Sequence, residues 1–120
     1  MVQKALVVDD SPAELANIKS ILSDAGCLVV VASSGKEAVE KAKAEKPSVI
    51  FLDIVMPDMD GYEACRLLSE DPITKGIPVV FVTSKNQKAD VVWGQMQGGK
   101  GHVTKPFTPD QIIDQLKAVA

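Results

Sequence analysis

The stretch Val49-Ile50-Phe51-Leu52-Asp53-Ile54-Val55-Met56-Pro57-Asp58-Met59-Asp60-Gly61 decides the fold. Four consecutive apolar residues run into an aspartate, a turn with Pro57 and Gly61 follows, and a helical pattern then opens. A short apolar run bounded by turn signals reads as a strand buried on both faces. Asp53 then stands at the carboxyl end of a central strand, where open α/β sheets place ligands and chemistry. Alone, such an aspartate is most often only a strand end and a turn cap. Its company changes the reading. Leu6-Val7-Val8 runs into Asp9-Asp10, Val79-Val80-Phe81-Val82 into Thr83-Ser84, and His102-Val103-Thr104 into Lys105-Pro106.

Outward from that strand, the chain alternates strand and helix five times. Ala5 to Val8 is the first strand. Ser11-Pro12-Ala13-Glu14 forms a capping box with proline at the first helical position. Leu15, Ile18, Ile21, Leu22 and Ala25 follow at helical spacing, and Gly26 stops the helix. Leu28 to Ala32 is the second strand. Ser34-Gly35-Lys36-Glu37 opens a second helix with a weaker apolar face, Ala38, Val39 and Ala42, ending before Pro47. Asp60-Gly61-Tyr62-Glu63 caps a third helix with Ala64, Leu67 and Leu68 inward. Pro78 leads into the fourth strand. Ser84-Lys85-Asn86-Gln87 is expected to cap a fourth helix, which Gly94 and Gly98-Gly99 weaken. Thr108-Pro109-Asp110-Gln111 caps the last helix, with Ile112, Ile113, Leu116 and Val119 facing in. Five strand-helix units with near-continuous apolar strands imply a doubly wound α/β fold. Right-handed crossovers favour a five-stranded parallel sheet in the flavodoxin-like order 2-1-3-4-5.

Size and composition exclude several classes. The 120 residues suit one domain, and 46% hydrophobic residues suffice for a core. We therefore expect residues 1–120 to form a single domain with no output domain. No apolar run is long enough to span a bilayer, and the first residues do not read as a signal peptide, so a cytoplasmic location is the default expectation. Thirteen Lys+Arg against sixteen Asp+Glu give a net charge of −3, with no basic stripe and only 4% aromatics. Direct nucleic-acid binding has little support. Cys27 and Cys65 match no metal spacing and read as small buried hydrophobes.

In the order 2-1-3-4-5, Asp9, Asp10 and Asp53 meet at one sheet edge. Clustered carboxylates repel, so their pKa values must rise or a cation must enter. Oxygen ligands of this kind suit Mg²⁺, with Asp10 and Asp53 as direct ligands, Asp9 acting through water, and the backbone carbonyl of Val55 adding an oxygen. Lys105 supplies a point charge for phosphate oxygens and Thr83 a hydroxyl. Together these residues describe a phosphoryl site built around a carboxylate nucleophile. Lys105 precedes a proline, and the sequence leaves the isomer of that bond open. Trp93 packs under the fourth helix or sits on its surface. Gln97-Gly98-Gly99-Lys100-Gly101 follows a helix rather than opening one, so it reads as a turn and not a phosphate loop.

The strings Val7-Val8-Asp9-Asp10-Ser11, Leu52-Asp53-Ile54-Val55-Met56-Pro57-Asp58-Met59-Asp60-Gly61 and Thr104-Lys105-Pro106-Phe107, with Thr83, resemble the receiver domain of bacterial two-component response regulators of the CheY-like kind. The resemblance covers essentially the whole chain. It implies that Asp53 accepts a phosphoryl group from a phosphohistidine on a sensor histidine kinase, here CheA-like. It implies also that Asp9 and Asp10 hold Mg²⁺ and that Thr83 and Lys105 contact the phosphoryl group. Val92-Trp93-Gly94-Gln95-Met96-Gln97-Gly98 is further similar to stand-alone PilH-type receivers of type IV pilus, or twitching, chemosensory systems. One position departs from the family. Three residues before the lysine the family usually carries tyrosine or phenylalanine, which swings inward when the threonine moves; here it is His102. We expect Thr83 and His102 to form the switch. Output would run through a signalling face made by the fourth helix, fifth strand and fifth helix of a monomer, reaching a downstream motility or signalling protein.

Other functions remain open at this point. A receiver-shaped interaction module that is never phosphorylated is one, and a phosphate sink for a sister regulator is another. An aspartyl-phosphate hydrolase of the haloacid dehalogenase class would need a second aspartate where Val55 stands. An FMN carrier would need a phosphate loop where Asp9-Asp10 would repel phosphate. No enzymatic activity is expected beyond self-phosphorylation and autodephosphorylation.

Overall fold

The computed structural model describes residues 3–119. The strands are β1 (Lys4–Val8), β2 (Leu28–Ala32), β3 (Val49–Leu52), β4 (Val79–Thr83) and β5 (Gly101–Thr104). The helices between and after them are α1 (Pro12–Asp24), α2 (Gly35–Glu45), α3 (Gly61–Glu70), α4 (Lys88–Met96) and α5 (Pro109–Val119). All strand pairs are parallel and the sheet order is β2-β1-β3-β4-β5, as the sequence pattern requires.

Side chains alternate across a strand, so one sheet feeds two cores. Leu6, Val8, Ile50, Leu52, Val79 and Phe81 point to one face and pack with Ala38, Ala42, Ala64, Cys65 and Leu68 of α2 and α3. Ala5, Val7, Val49, Phe51, Val80, Val82 and Val103 point to the other and pack with Ile18, Leu22, Ile112 and Leu116 of α1 and α5. Every residue of β3 and β4 is buried, the mark of central strands in a sheet covered on both sides.

Several local expectations need correction. On α3, Cys65 is buried and Leu67 only half-buried. Ala25 faces solvent as the C-cap of α1, and Gly26 takes the left-handed step beyond it with φ +90°. The fourth helix opens at Lys88, three residues later than a cap at Ser84 would place it. There the Asp90 carboxylate accepts the Gln87 N–H at 3.2 Å, satisfying a donor that the helix leaves orphaned. Two capping boxes are only half formed. The Ser11 hydroxyl accepts the Glu14 N–H at 3.4 Å and Ser34 accepts Glu37 N–H at 3.1 Å. The returning carboxylates go elsewhere, Glu37 to the Ser33 N–H at 2.6 Å and Glu14 toward Lys105.

The glycines around α4 have a packing purpose. A Cβ at Gly94 would come within 2.8 Å of the Phe81 ring, and one at Gly99 would crowd the same ring edge. These glycines let α4 and its following turn lie down on Phe81. Tyr62 packs edge-on with that ring at 5.7 Å, and the half-exposed Trp93 stands edge-on to Tyr62 at 6.4 Å. Trp93 thus takes the surface position of the two the sequence allowed. Both cysteines are buried and free, and burial pushes the Cys65 thiol up to about 11.

Candidate functional site

Strand register builds the site. Val8 pairs with Leu52, so Asp9 and Asp53 leave neighbouring strands side by side, and the Asp53 N–H donates to the Val8 carbonyl at 3.0 Å. Thr83 pairs with Thr104, and the Lys105 N–H donates to the Thr83 carbonyl at 2.9 Å. Four strand ends thus deliver Asp9-Asp10, Asp53, Thr83 and Lys105 to one edge of the sheet.

The carboxylates converge. One oxygen from each of Asp9, Asp10 and Asp53 lies within 4.8 Å of the others. Asp9 and Asp53 are buried, at 1% and 6% exposure, whereas Asp10 is exposed at the mouth. Each buried carboxylate has one oxygen tied to the backbone and one turned to the cleft. Asp9 Oδ1 accepts the Ser11 N–H at 2.9 Å, and Asp53 Oδ1 accepts the Ile54 N–H at 2.7 Å. Lys105 Nζ then donates to Asp9 Oδ2 at 2.8 Å and lies 3.5 Å from Asp53 Oδ2. The Lys105-Pro106 bond, open in the sequence, is cis. Val55 follows Asp53 by two positions with its side chain exposed.

Burial and the neighbouring Asp9 charge raise the Asp53 carboxyl above its ordinary range. Lys105, the Ile54 N–H and the Thr83 hydroxyl pull it back without cancelling the rise. Burial alone would lower Lys105. Its hydrogen bond to Asp9 and the charges of Asp53, Asp9 and Glu14 more than reverse that, so the ammonium is held charged. Hard oxygen donors in this number, two of them unusually dry, suit a small dication that keeps some of its waters. The donor set fits Mg²⁺.

Thr83 is fully buried, and its Oγ1 accepts the Lys85 N–H at 3.3 Å. His102 lies across the same loop. Its Nε2 is 2.7 Å from the Lys85 carbonyl, which can only accept, so Nε2 carries the proton. His102 Nδ1 is buried and has no hydrogen-bond partner among the described residues. The histidine is therefore not a free edge residue. It fastens β5 to the segment that leaves Thr83.

Two residues escaped the sequence reading. Lys85 gives both backbone groups to the Thr83–His102 link, and no side-chain signal announces a backbone role. Glu14, read as a capping residue, brings its carboxylate to 3.8 Å from Lys105 Nζ.

The chain as a whole is matched by known proteins. The model of the response regulator receiver domain matches residues 5–117. The chain belongs to that family. This receiver is 40% identical to Protein PilH of Pseudomonas aeruginosa over 97% of the chain and 96% of that protein. It is 34% identical to Protein PilG of the same organism over 96% of the chain and 85% of that protein. Among solved structures it superposes on the chemotaxis protein CheY4 of Vibrio cholerae with a TM-score of 0.94, at 31% identity and full coverage of both chains. The receiver is a signalling module close to the PilH and PilG regulators. No described helix is long and apolar enough to cross a membrane.

Proposed function

We propose that this receiver is a stand-alone response regulator in which Asp53 accepts a phosphoryl group from a phosphohistidine of a CheA-like sensor kinase. The observation that carries the reading is Asp53 Oδ2, an oxygen of a buried carboxylate turned to a cleft that it shares with the Asp9 and Asp10 carboxylates and the Lys105 ammonium. Oδ1 is held by the Ile54 N–H, so Oδ2 is the attacking atom. It forms a bond to phosphorus as the phosphorus–nitrogen bond of the donor breaks, and the imidazole leaves with that electron pair. Asp10 and Asp53 would hold Mg²⁺ directly, Asp9 would reach it through water, and the Val55 carbonyl would add a further oxygen. When bound, the dication neutralises charge on the transferring phosphoryl oxygens. Lys105 leaves Asp9 and pairs with a phosphoryl oxygen, and the Thr83 hydroxyl turns to donate to another. Similarity to PilH supports a role in twitching or chemotaxis-type signalling.

The test is acetyl phosphate with Mg²⁺ and an intact-mass measurement. One phosphoryl group should add, chelation should prevent it, and peptide mapping should place it at Asp53. A chain that stays unlabelled both here and with a phosphorylated histidine kinase would be an interaction module instead.

Output runs through the face of α4, β5 and α5. It is supported by the exposure of Val92 (44%), Trp93 (48%) and Met96 (68%) on α4 and by the link from Thr83 through Lys85 to His102. When Thr83 turns toward the phosphoryl group it releases the Lys85 N–H, and His102 decides how that segment resettles. His102→Ala should therefore label to a near-normal extent yet lose most of the phosphorylation-dependent gain in partner affinity. Binding of both forms to a captured partner reads this directly. An equal gain in wild type and variant would leave His102 without a switching role.

A further inference from the structure

Lys105 is shared unequally among three carboxylates. Its Nζ lies 2.8 Å from Asp9 Oδ2, 3.5 Å from Asp53 Oδ2 and 3.8 Å from Glu14 Oε2. No other described lysine or arginine comes within 4.0 Å of these three groups. Asp9 Oδ1 is already tied to the Ser11 N–H, so Lys105 occupies the only Asp9 oxygen turned to the cleft. Under the reading above, a dication held by Asp10 and Asp53, with Asp9 reached through water, would compete with Lys105 for Asp9 and Asp53. Where the dication prevails, Lys105 lets go of both.

Glu14 is placed to receive it. The Ser11 hydroxyl accepts the Glu14 N–H, which fixes the residue in the first turn of α1. The Glu14 carboxylate has no described partner except Lys105, and it stands outside the cluster of Asp9, Asp10 and Asp53. Beside it lies an open space of about 280 Å³ lined by Glu14, Asn17, Lys105, Pro106 and Phe107, enough for the ammonium to shift outward.

We propose that Glu14 is a positioning residue for Lys105, an outer anchor that holds the ammonium at the rim when the dication takes Asp9 and Asp53. The inference rests on the phosphoacceptor reading. Its physical content is a competition. Without the outer anchor, leaving Asp9 returns Lys105 to water alone, so Lys105 competes harder against the dication. The Glu14 side chain is 37% exposed, which keeps the pair modest, and its loss should weaken Mg²⁺ binding by about threefold.

A double-mutant cycle read by calorimetric Mg²⁺ titration tests this. Glu14→Gln should bind Mg²⁺ about threefold more weakly than wild type. The same substitution in a Lys105→Gln background should change nothing, because the residue acts through Lys105. Metal-free circular dichroism checks that each variant folds, and Lys105→Met serves as the second background should Lys105→Gln fail. An equal weakening in both backgrounds would show Glu14 acting on the ion by its own charge and overturn the proposal, as would no weakening in the wild-type background. Wild type that binds no Mg²⁺ would overturn the phosphoacceptor reading itself, and the anchor with it.

Discussion

Asp53→Asn should abolish phosphoryl labelling and, in the absence of metal, make the protein more stable at pH 7. The first effect follows from removing the carboxylate proposed as the phosphoacceptor. The second follows from the raised Asp53 carboxyl, which burial lifts first and the Asp9 charge lifts further. A carboxyl with a folded pKa above its unfolded value binds more protons folded than unfolded between those two values. Stability then falls as pH rises through that window, which begins near the ordinary carboxylate value of about 4. The penalty is complete above the folded value. Asparagine keeps the shape and removes the charge, so the penalty disappears and the pH profile flattens. Urea midpoints in a chelator, taken from acid to neutral pH on both proteins, measure this. Mg²⁺ should raise the midpoint of wild type, because a ligand of the folded state stabilises by mass action. The asparagine variant should keep only a minor part of that rise. A variant less stable than wild type at pH 7 without metal would mean that the Lys105 attraction outweighs burial and Asp9 repulsion.

The sequence announces this site because the central strands, buried on both faces, are near-continuous apolar runs, so the polar residue that ends each run marks the strand's carboxyl end. Val8-Asp9, Leu52-Asp53 and Val82-Thr83 are such transitions. Once the strand order is known, register brings them together with no further information. Helix boundaries are equally visible at Ser11, Ser34 and Asp60, where the hydroxyl or carboxylate accepts the N–H three residues on. Legibility stops where one side chain has a choice of partners. Glu14 fits a capping box by spacing, yet the Ser11 N–H it would accept goes to Asp9 Oδ1, and Lys105 is 3.8 Å away across the cleft. That partner lies ninety-one positions along the chain, beyond any local pattern (105 − 14). The start of α4 departs from the local pattern for a related reason. Ser84 has the chemistry of a cap, but the segment from Thr83 to Gln87 is held by Thr83 Oγ1 and by His102, and the helix waits for Asp90 to cap Gln87. His102 itself could be marked as unusual from its position, while its partner, a backbone carbonyl, could not.

Gly61→Ala should both destabilise the fold and spoil the site, although glycine at the first position of a helix is usually replaceable. The reason is the closeness of α3 to the end of β3. Gly61 N–H donates to the Ile54 carbonyl at 2.8 Å, drawing the start of the helix against the chain that has just left Asp53. A Cβ there would overlap the Asp53 carbonyl oxygen and sit 2.7 Å from Ile54 Cα. Both neighbours are backbone, so neither can rotate away as a flexible side chain would. Either α3 withdraws, breaking the hydrogen bond and loosening Ala64, Cys65 and Leu68 from the core, or β3's end shifts. The first route loses packing and the second displaces Asp53 from Lys105 and the other carboxylates. A loss of about 3 kcal/mol is expected for a clash that only backbone movement can relieve. For a chain of this length that lowers Tm by about 10 °C. Chemical denaturation gives the stability, and labelling with acetyl phosphate under conditions where the variant remains folded gives the site. Because the added Cβ would overlap the Asp53 carbonyl oxygen itself, the strand end should give way at least in part, and the labelling rate should fall even in the folded fraction. Wild-type labelling by a destabilised variant would mean that α3 alone moved, and near-wild-type stability would mean that the strand end and the helix start are less tightly joined than their hydrogen bond implies.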